Sequence, residues 1–207
     1  MKIAITGEFR RGKDTIAGII SRYISERPVV SLAFADALKG ELAEMSLNYL
    51  QPPELVVKHD NRDTYVRPGA YRDWEDSMRR ARVVNGVGWQ WWGEFRRRYS
   101  GADYWIEHVR FQYRYNEAMT DGNHIVITDM RHHNEAEWCK KNGFFLVRVE
   151  GPCRSEESRD PGHASEVAIR DIDVHAVLIN DGTMNDLTRS VHRLIDGDVA
   201  AFFAGKE

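Results

Sequence analysis

Two cysteines in 207 residues leave little room for sulfur chemistry. Cys139 and Cys153 lack metal-type spacing and cannot build a disulfide framework, so a reducing compartment is expected. No apolar run approaches the roughly 20 residues that cross a bilayer, and no signal-type segment precedes the first apolar stretch. A cytoplasmic protein without a membrane partner is therefore expected. A basic excess is also missing. The formal charge of −3 argues against stable nucleic-acid binding, which calls for a net basic face. Neither internal repeats nor low-complexity tracts occur, and the histidines, among them His132, His133, His163 and His175, form no ligand constellation. They read as structural or surface groups.

What is present is ordinary for a globular enzyme: 42% apolar and 29% charged residues, enough for a substantial core in one domain with an insertion. Short, almost continuously apolar runs alternate with helical patterns. Strands are expected at Ile3–Ile5, 29–33, 125–128, 144–149 and 176–179, with the third ending on Asp129. Ile16, Ile19, Ile20 and Ile24 share a helical face. Asp36 is expected to cap a helix running to Tyr49, and Thr183 with Asp186 three residues on forms a cap for the last helix. Such strands, wound with helices, indicate a parallel five-stranded sheet covered on both faces. Residues 1–50 and 124–207 make this core. Residues 51–123 interrupt the rhythm: Pro52-Pro53 breaks the chain, and 58–82 is strongly charged with no strand signal. The stretch is too long for an ordinary loop and reads as a mainly helical substrate-binding insertion.

The segment Gly7-Glu8-Phe9-Arg10-Arg11-Gly12-Lys13 joins the first strand to the first helix, the context in which Gly-x-x-x-x-Gly-Lys cradles phosphate. The glycines let successive N–H groups turn inward, the helix aims its positive end at the same point, and Lys13 adds a full charge near the β- and γ-phosphates. Ser or Thr normally follows the lysine and binds Mg²⁺ through its hydroxyl; here Asp14 does, followed by Thr15. A carboxylate at this position either binds magnesium, directly or through water, or serves the first-turn N–H groups. Thr15 is no simple substitute, since one residue along a helix turns the side chain by about 100°.

Asp129, delivered by an apolar strand, has the form of a Walker B acid, placed to hold magnesium or its waters. Arg131 follows, within reach of a substrate phosphate. The polar segment 151–165, bounded by Gly and Pro, carries Arg154 and Arg159 and suits a lid whose arginines stabilise charge on the transferring phosphoryl group. The run Trp89 to Tyr99 interleaves aromatics with arginines, a pattern that can bind single strands by stacking. An amphipathic helix packing its aromatic stripe inward explains it better, with one or two polar groups left for substrate.

With these positions assembled, the chain resembles the deoxynucleoside monophosphate kinases of tailed bacteriophages. The loop Gly7 to Thr15 is similar to that family's Gly-x-x-Arg-Ser-Gly-Lys-Asp-Thr, including the unusual acid. Phe34-Ala35-Asp36-Ala37-Leu38-Lys39 matches Phe-Ala-Asp-x-Leu-Lys. Thr128 to Glu135 matches Thr-Asp-x-Arg-x-x-Asn-Glu. His163 to Glu166 and Asn180 to Thr183 match two late elements. In the middle, Gln90, Gly93, Arg98 and Asp103-Tyr104-Trp105 fit by spacing, whereas Trp89 and Glu94 depart. The departures bear on base preference, not on reaction type.

The resemblance implies a P-loop kinase sheet, ATP with Mg²⁺, and a homodimer. The expected reaction moves the ATP γ-phosphoryl onto a deoxynucleoside 5′-monophosphate. Lys13, Asp129, Arg154 and Arg159 carry the catalysis, and Gly7, Arg10, Arg11, Gly12, Asp14, Thr15 and Asn180 hold ATP. Phe34, Asp36, Lys39, Gln90, Arg98 and Arg131 hold the acceptor, with Asp14 and Asp129 on the metal. The rivals are a dephospho-coenzyme A or phosphomevalonate kinase of the P-loop type, and a nucleic-acid-binding P-loop ATPase.

Overall fold

The computed structural model describes residues 1–24, 28–48, 55–59, 62–66, 92–119, 123–153 and 164–205. Five strands form one parallel sheet: β1 (Lys2–Thr6), β2 (Val29–Leu32), β5 (His124–Met130), β6 (Phe145–Glu150) and β7 (Ala176–Ile179), in the order β2-β5-β1-β6-β7. The first strand therefore lies at the centre, and its C-terminal end opens between those of β5 and β6. In an open parallel sheet this is where ligands bind, beyond the strand ends at a change of strand order.

Alternation along β1 sends Ile3 and Ile5 to one face, where they pack with Ile16, Ile19 and Ile20 of α1 (Lys13–Tyr23). Leu187, Val191 and Leu194 of α7 (Met184–Leu194) join the same cluster. Burying each such side chain contributes about 1.5–3 kcal/mol relative to leaving it in water. A separate aromatic group gathers Tyr113 of α4 (Tyr104–Met119), Trp138 of α5 (His133–Lys141) and Phe144, with ring centroids 5.5 to 5.9 Å apart. His175 is structural, as read: its Nδ1 accepts from the Leu146 N–H at 2.8 Å and its ring stacks on Phe145.

The helix caps follow local chemistry. Thr183 caps α7 by accepting from the Asp186 N–H, while Asp186 accepts from the Thr183 N–H at 3.0 Å. Hydrogen bonds from the Thr183 hydroxyl and N–H, and then from Arg189, hold the Asp186 carboxyl down at about 2. Helix α7 continues through a π-helical turn (Ile195–Val199) into α8 (Ala200–Ala204). Helix α6 spans Ala164–Asp171.

Three expectations need correction. Helix α2 runs from Phe34 to Asn48, so Asp36 lies in its first turn and is not its cap. A carboxylate there still favours the helix through the positive end of its dipole. Strand β5 continues through Asp129 to Met130 because of an irregularity in pairing: β1 steps from Ala4 to Thr6 while β5 steps from Ile127 to Met130. The charged stretch after Pro53 also holds strands, an antiparallel pair of β3 (Leu55–His59) and β4 (Arg62–Val66). Val56, Val57, Tyr65 and Val66 supply the β-favouring residues that the surrounding charge obscured.

The chain divides into two compact units. The first comprises Met1–Phe34 and most of the chain after Ile106, and the second is built on Ala35–Trp105. Within the second, residues 92–100 form helix α3, and Glu41 ties elements together. Its carboxylate accepts from Trp92 Nε1 and Arg96 Nε, both at 2.9 Å, and from the Tyr104 hydroxyl. Trp105 Nε1 donates to the Gly93 carbonyl at 3.0 Å. The aromatic stripe on α3 is thus packed at Trp92, which stacks on Phe95, and open at Tyr99, which is 68% exposed.

No helix among the described residues is long and apolar enough to cross a membrane.

Candidate active site

The phosphate loop is built where β1 ends. Thr6 is fully buried, and its hydroxyl has no hydrogen-bond partner among the described residues. Gly7 follows with φ 149°, and a Cβ there would meet the Val149 carbonyl at 2.7 Å. At the other end Gly12 stands at φ 93° as the N-cap of α1, with the Asn180 amide nitrogen 2.5 Å from where a Cβ would be. Only glycine combines that backbone with that neighbour. Arg10 is the one described non-glycine residue with positive φ, 58°, and its guanidinium lies over the Phe9 ring.

Lys13 is buried against the loop that it serves. Its ammonium donates to the carbonyls of Gly7 and Glu8, each at 2.8 Å. Arg11 bridges two features: it donates to the Glu8 carboxylate at 2.5 Å and to the Gly151 carbonyl just after β6. Asn180, buried at the end of β7, donates its amide to the Arg11 carbonyl at 2.9 Å. The loop is therefore braced from β6 and β7. Asp14 lies exposed in the first turn of α1, with Thr15 half-buried beside it.

Asp129 sits on the strand next to β1, at the pairing irregularity. An extra residue at such a bulge re-aims side chains, and bulges recur beside active sites. Its Oδ1 accepts the Phe34 N–H at 2.7 Å, and the Phe34 ring is buried edge-on to Trp138. Arg131 follows; its N–H, together with that of His132 at 3.1 Å, is taken by the buried Glu135 carboxylate. In the second unit, Lys39 pairs with Asp36 at 2.8 Å, and Arg98 is exposed on α3 with its guanidinium over Tyr99. Gln90, Arg154 and Arg159 lie outside the described residues.

Two acidic residues escaped the sequence reading. Glu135 closes the Thr128–Glu135 match without a role of its own, and its spacing from His132 is that of a box-like cap for α5. Glu8 accepts from Arg11, three residues on, and from Arg170 near the end of α6. The Arg11 hydrogen bond, outweighing partial burial, holds the Glu8 carboxyl below its usual range. Arg148 donates to Glu150 and to the carbonyls of Arg170 and Ile172.

No family model matches the chain. It is 30% identical, over 212 aligned positions, to a protein of Acanthamoeba polyphaga mimivirus provisionally named a deoxynucleotide monophosphate kinase, covering 94% of this chain and 95% of that one. Among solved structures, shikimate kinase from Aquifex aeolicus superposes with a TM-score of 0.46 at 10% identity, over 96% of this chain and 98% of that one. TT1252 from Thermus thermophilus gives 0.44 at 18% identity, over 95% and 96%. A phosphate loop on the central strand of this parallel sheet, with an acid on the strand alongside, marks a P-loop nucleotide enzyme. Within that class, its full-length likeness to the mimivirus protein decides the assignment: the chain belongs to the deoxynucleotide monophosphate kinase family.

Proposed function

We propose that the enzyme transfers the γ-phosphoryl group of ATP to the 5′-phosphate of a deoxynucleoside monophosphate, releasing ADP and the deoxynucleoside diphosphate. An oxygen of the acceptor phosphate forms the new P–O bond as the bond between the γ-phosphorus and the β–γ bridging oxygen breaks. The acceptor is already an anion, so no strong base is required. Positioning and charge neutralisation carry the rate. The observation that carries this reading is Lys13, an ammonium held on the carbonyls of the loop that would cradle the phosphates.

In this reading the loop amides and Lys13 bind the β- and γ-phosphates, moving the ammonium from carbonyl oxygens to phosphate oxygens. Asn180 keeps the loop in register through the Arg11 carbonyl. Asp14 and Asp129 offer the hard carboxylate oxygens that Mg²⁺ takes, and both belong to the unit containing the loop. Bound there, the ion would neutralise charge on the triphosphate. Arg154 and Arg159 would neutralise what develops in transfer; Phe34, Asp36, Lys39, Gln90, Arg98 and Arg131 would hold the acceptor. An ADP-release assay over deoxynucleoside monophosphates, dephospho-coenzyme A and phosphomevalonate tests the reading. Turnover restricted to either of the last two acceptors would overturn it.

A further inference from the structure

Three charged side chains meet at the mouth of the phosphate loop. Glu8, the first residue after Gly7, carries the only carboxylate within the Gly7–Lys13 segment. One of its oxygens accepts from Arg11 at 2.5 Å; the other accepts from Arg170 Nε at 3.0 Å and lies 2.9 Å from Nη2 of the same guanidinium. Two guanidiniums thus converge on one anion, in a loop whose chemistry is to hold another. A carboxylate beside a phosphate site is electrostatically adverse, and it occupies the forks best suited to phosphate oxygens.

We propose that Glu8 is a built-in competitor for the nucleotide: its carboxylate holds Arg11 and Arg170, and the triphosphate takes these guanidiniums over when it binds. Arg170 becomes a phosphate-binding residue contributed by α6. This rests on the kinase reading for the identity of the nucleotide, but not for the exchange itself. The exchange is favourable because a triphosphate offers several charges and many acceptor oxygens where Glu8 offers one charge. It is also easy, because the Arg170 side chain is 67% exposed and an ion pair so open to water is weakly held. Arg11 has a second anchor in the Gly151 carbonyl, so it can change anionic partner without leaving the loop.

Glu8→Gln keeps the size of the side chain and removes its charge. Titrations with ATP, inorganic tripolyphosphate and adenosine, without acceptor, read the effect apart from catalysis. The variant should bind ATP and tripolyphosphate roughly three- to tenfold more tightly, the scale of one partly screened charge several ångströms from a polyanion. Adenosine affinity should stay unchanged. Adding Arg170→Ala should take back part of the gain, leaving what the lost charge and the freed Arg11 contribute. Unchanged or weaker tripolyphosphate binding by folded Glu8→Gln would overturn the proposal. Should Glu8→Gln fail to fold, Arg170→Ala alone is decisive: weaker tripolyphosphate binding supports the exchange, and unchanged or tighter binding refutes it. Failure of the wild type to bind ATP would instead remove the kinase reading.

Discussion

Replacing Gly12 by alanine puts the loop's geometry to a quantitative test. The backbone there stands at φ 93°, a left-handed conformation that costs an L-residue about 1–2 kcal/mol. The added Cβ would also lie 2.5 Å from Asn180 Nδ2, closer than two such atoms can approach. Asn180 is buried and its amide is donated to the Arg11 carbonyl, so moving it aside forfeits that bond, about 1 kcal/mol more. Gly12→Ala should therefore lose about 2–3 kcal/mol in urea unfolding and weaken ATP binding, because the bond forfeited is one that braces the loop. The two parts can be separated. Asn180→Ala alone should cost about 1 kcal/mol, and in that background Gly12→Ala should add only the backbone part, so the double mutant loses no more than Gly12→Ala does, a coupling of about 1 kcal/mol in the double-mutant cycle. A Gly12→Ala protein within about 0.5 kcal/mol of wild type and with unchanged ATP affinity would refute the reasoning.

Two further outcomes follow from the same geometry. Lys13→Ala should lower turnover at least about a hundredfold with unchanged circular dichroism, since a preorganised charge on the transferred group is lost while the loop amides persist; near-normal turnover would contradict the role given to Lys13. The Asp186 carboxyl, lowered from 3.8 to about 2, adds stability above pH 3.8 that disappears as pH falls toward 2, so the Tm difference between wild type and Asp186→Asn should close over that interval.

Much of the core was legible because its signals are local. Strand β7 falls at 176–179 as its apolar run indicates, and Thr183 and Asp186 form the cap that their spacing describes. The loop was legible because glycine and lysine at fixed spacing leave few other uses. Features that depend on distant partners were not. Phe34, not Asp36, opens α2, with its N–H taken by Asp129 across 95 positions of sequence. Nothing local distinguishes Arg170 from other surface arginines; its link to Glu8 spans 162 positions. The β3–β4 pair was hidden because Lys58, Arg62 and Asp63 interrupt the apolar alternation by which a half-buried strand is read.

The destination of the γ-phosphoryl group decides the function. The purified protein, incubated with ATP labelled in its γ-phosphate, magnesium and each deoxynucleoside monophosphate in turn, can be followed by separating the nucleotides. Label should appear in a deoxynucleoside diphosphate, formed in step with ADP and at least about a hundredfold more slowly with Lys13→Ala. Label recovered only as inorganic phosphate, whichever monophosphate is supplied, would contradict the kinase reading.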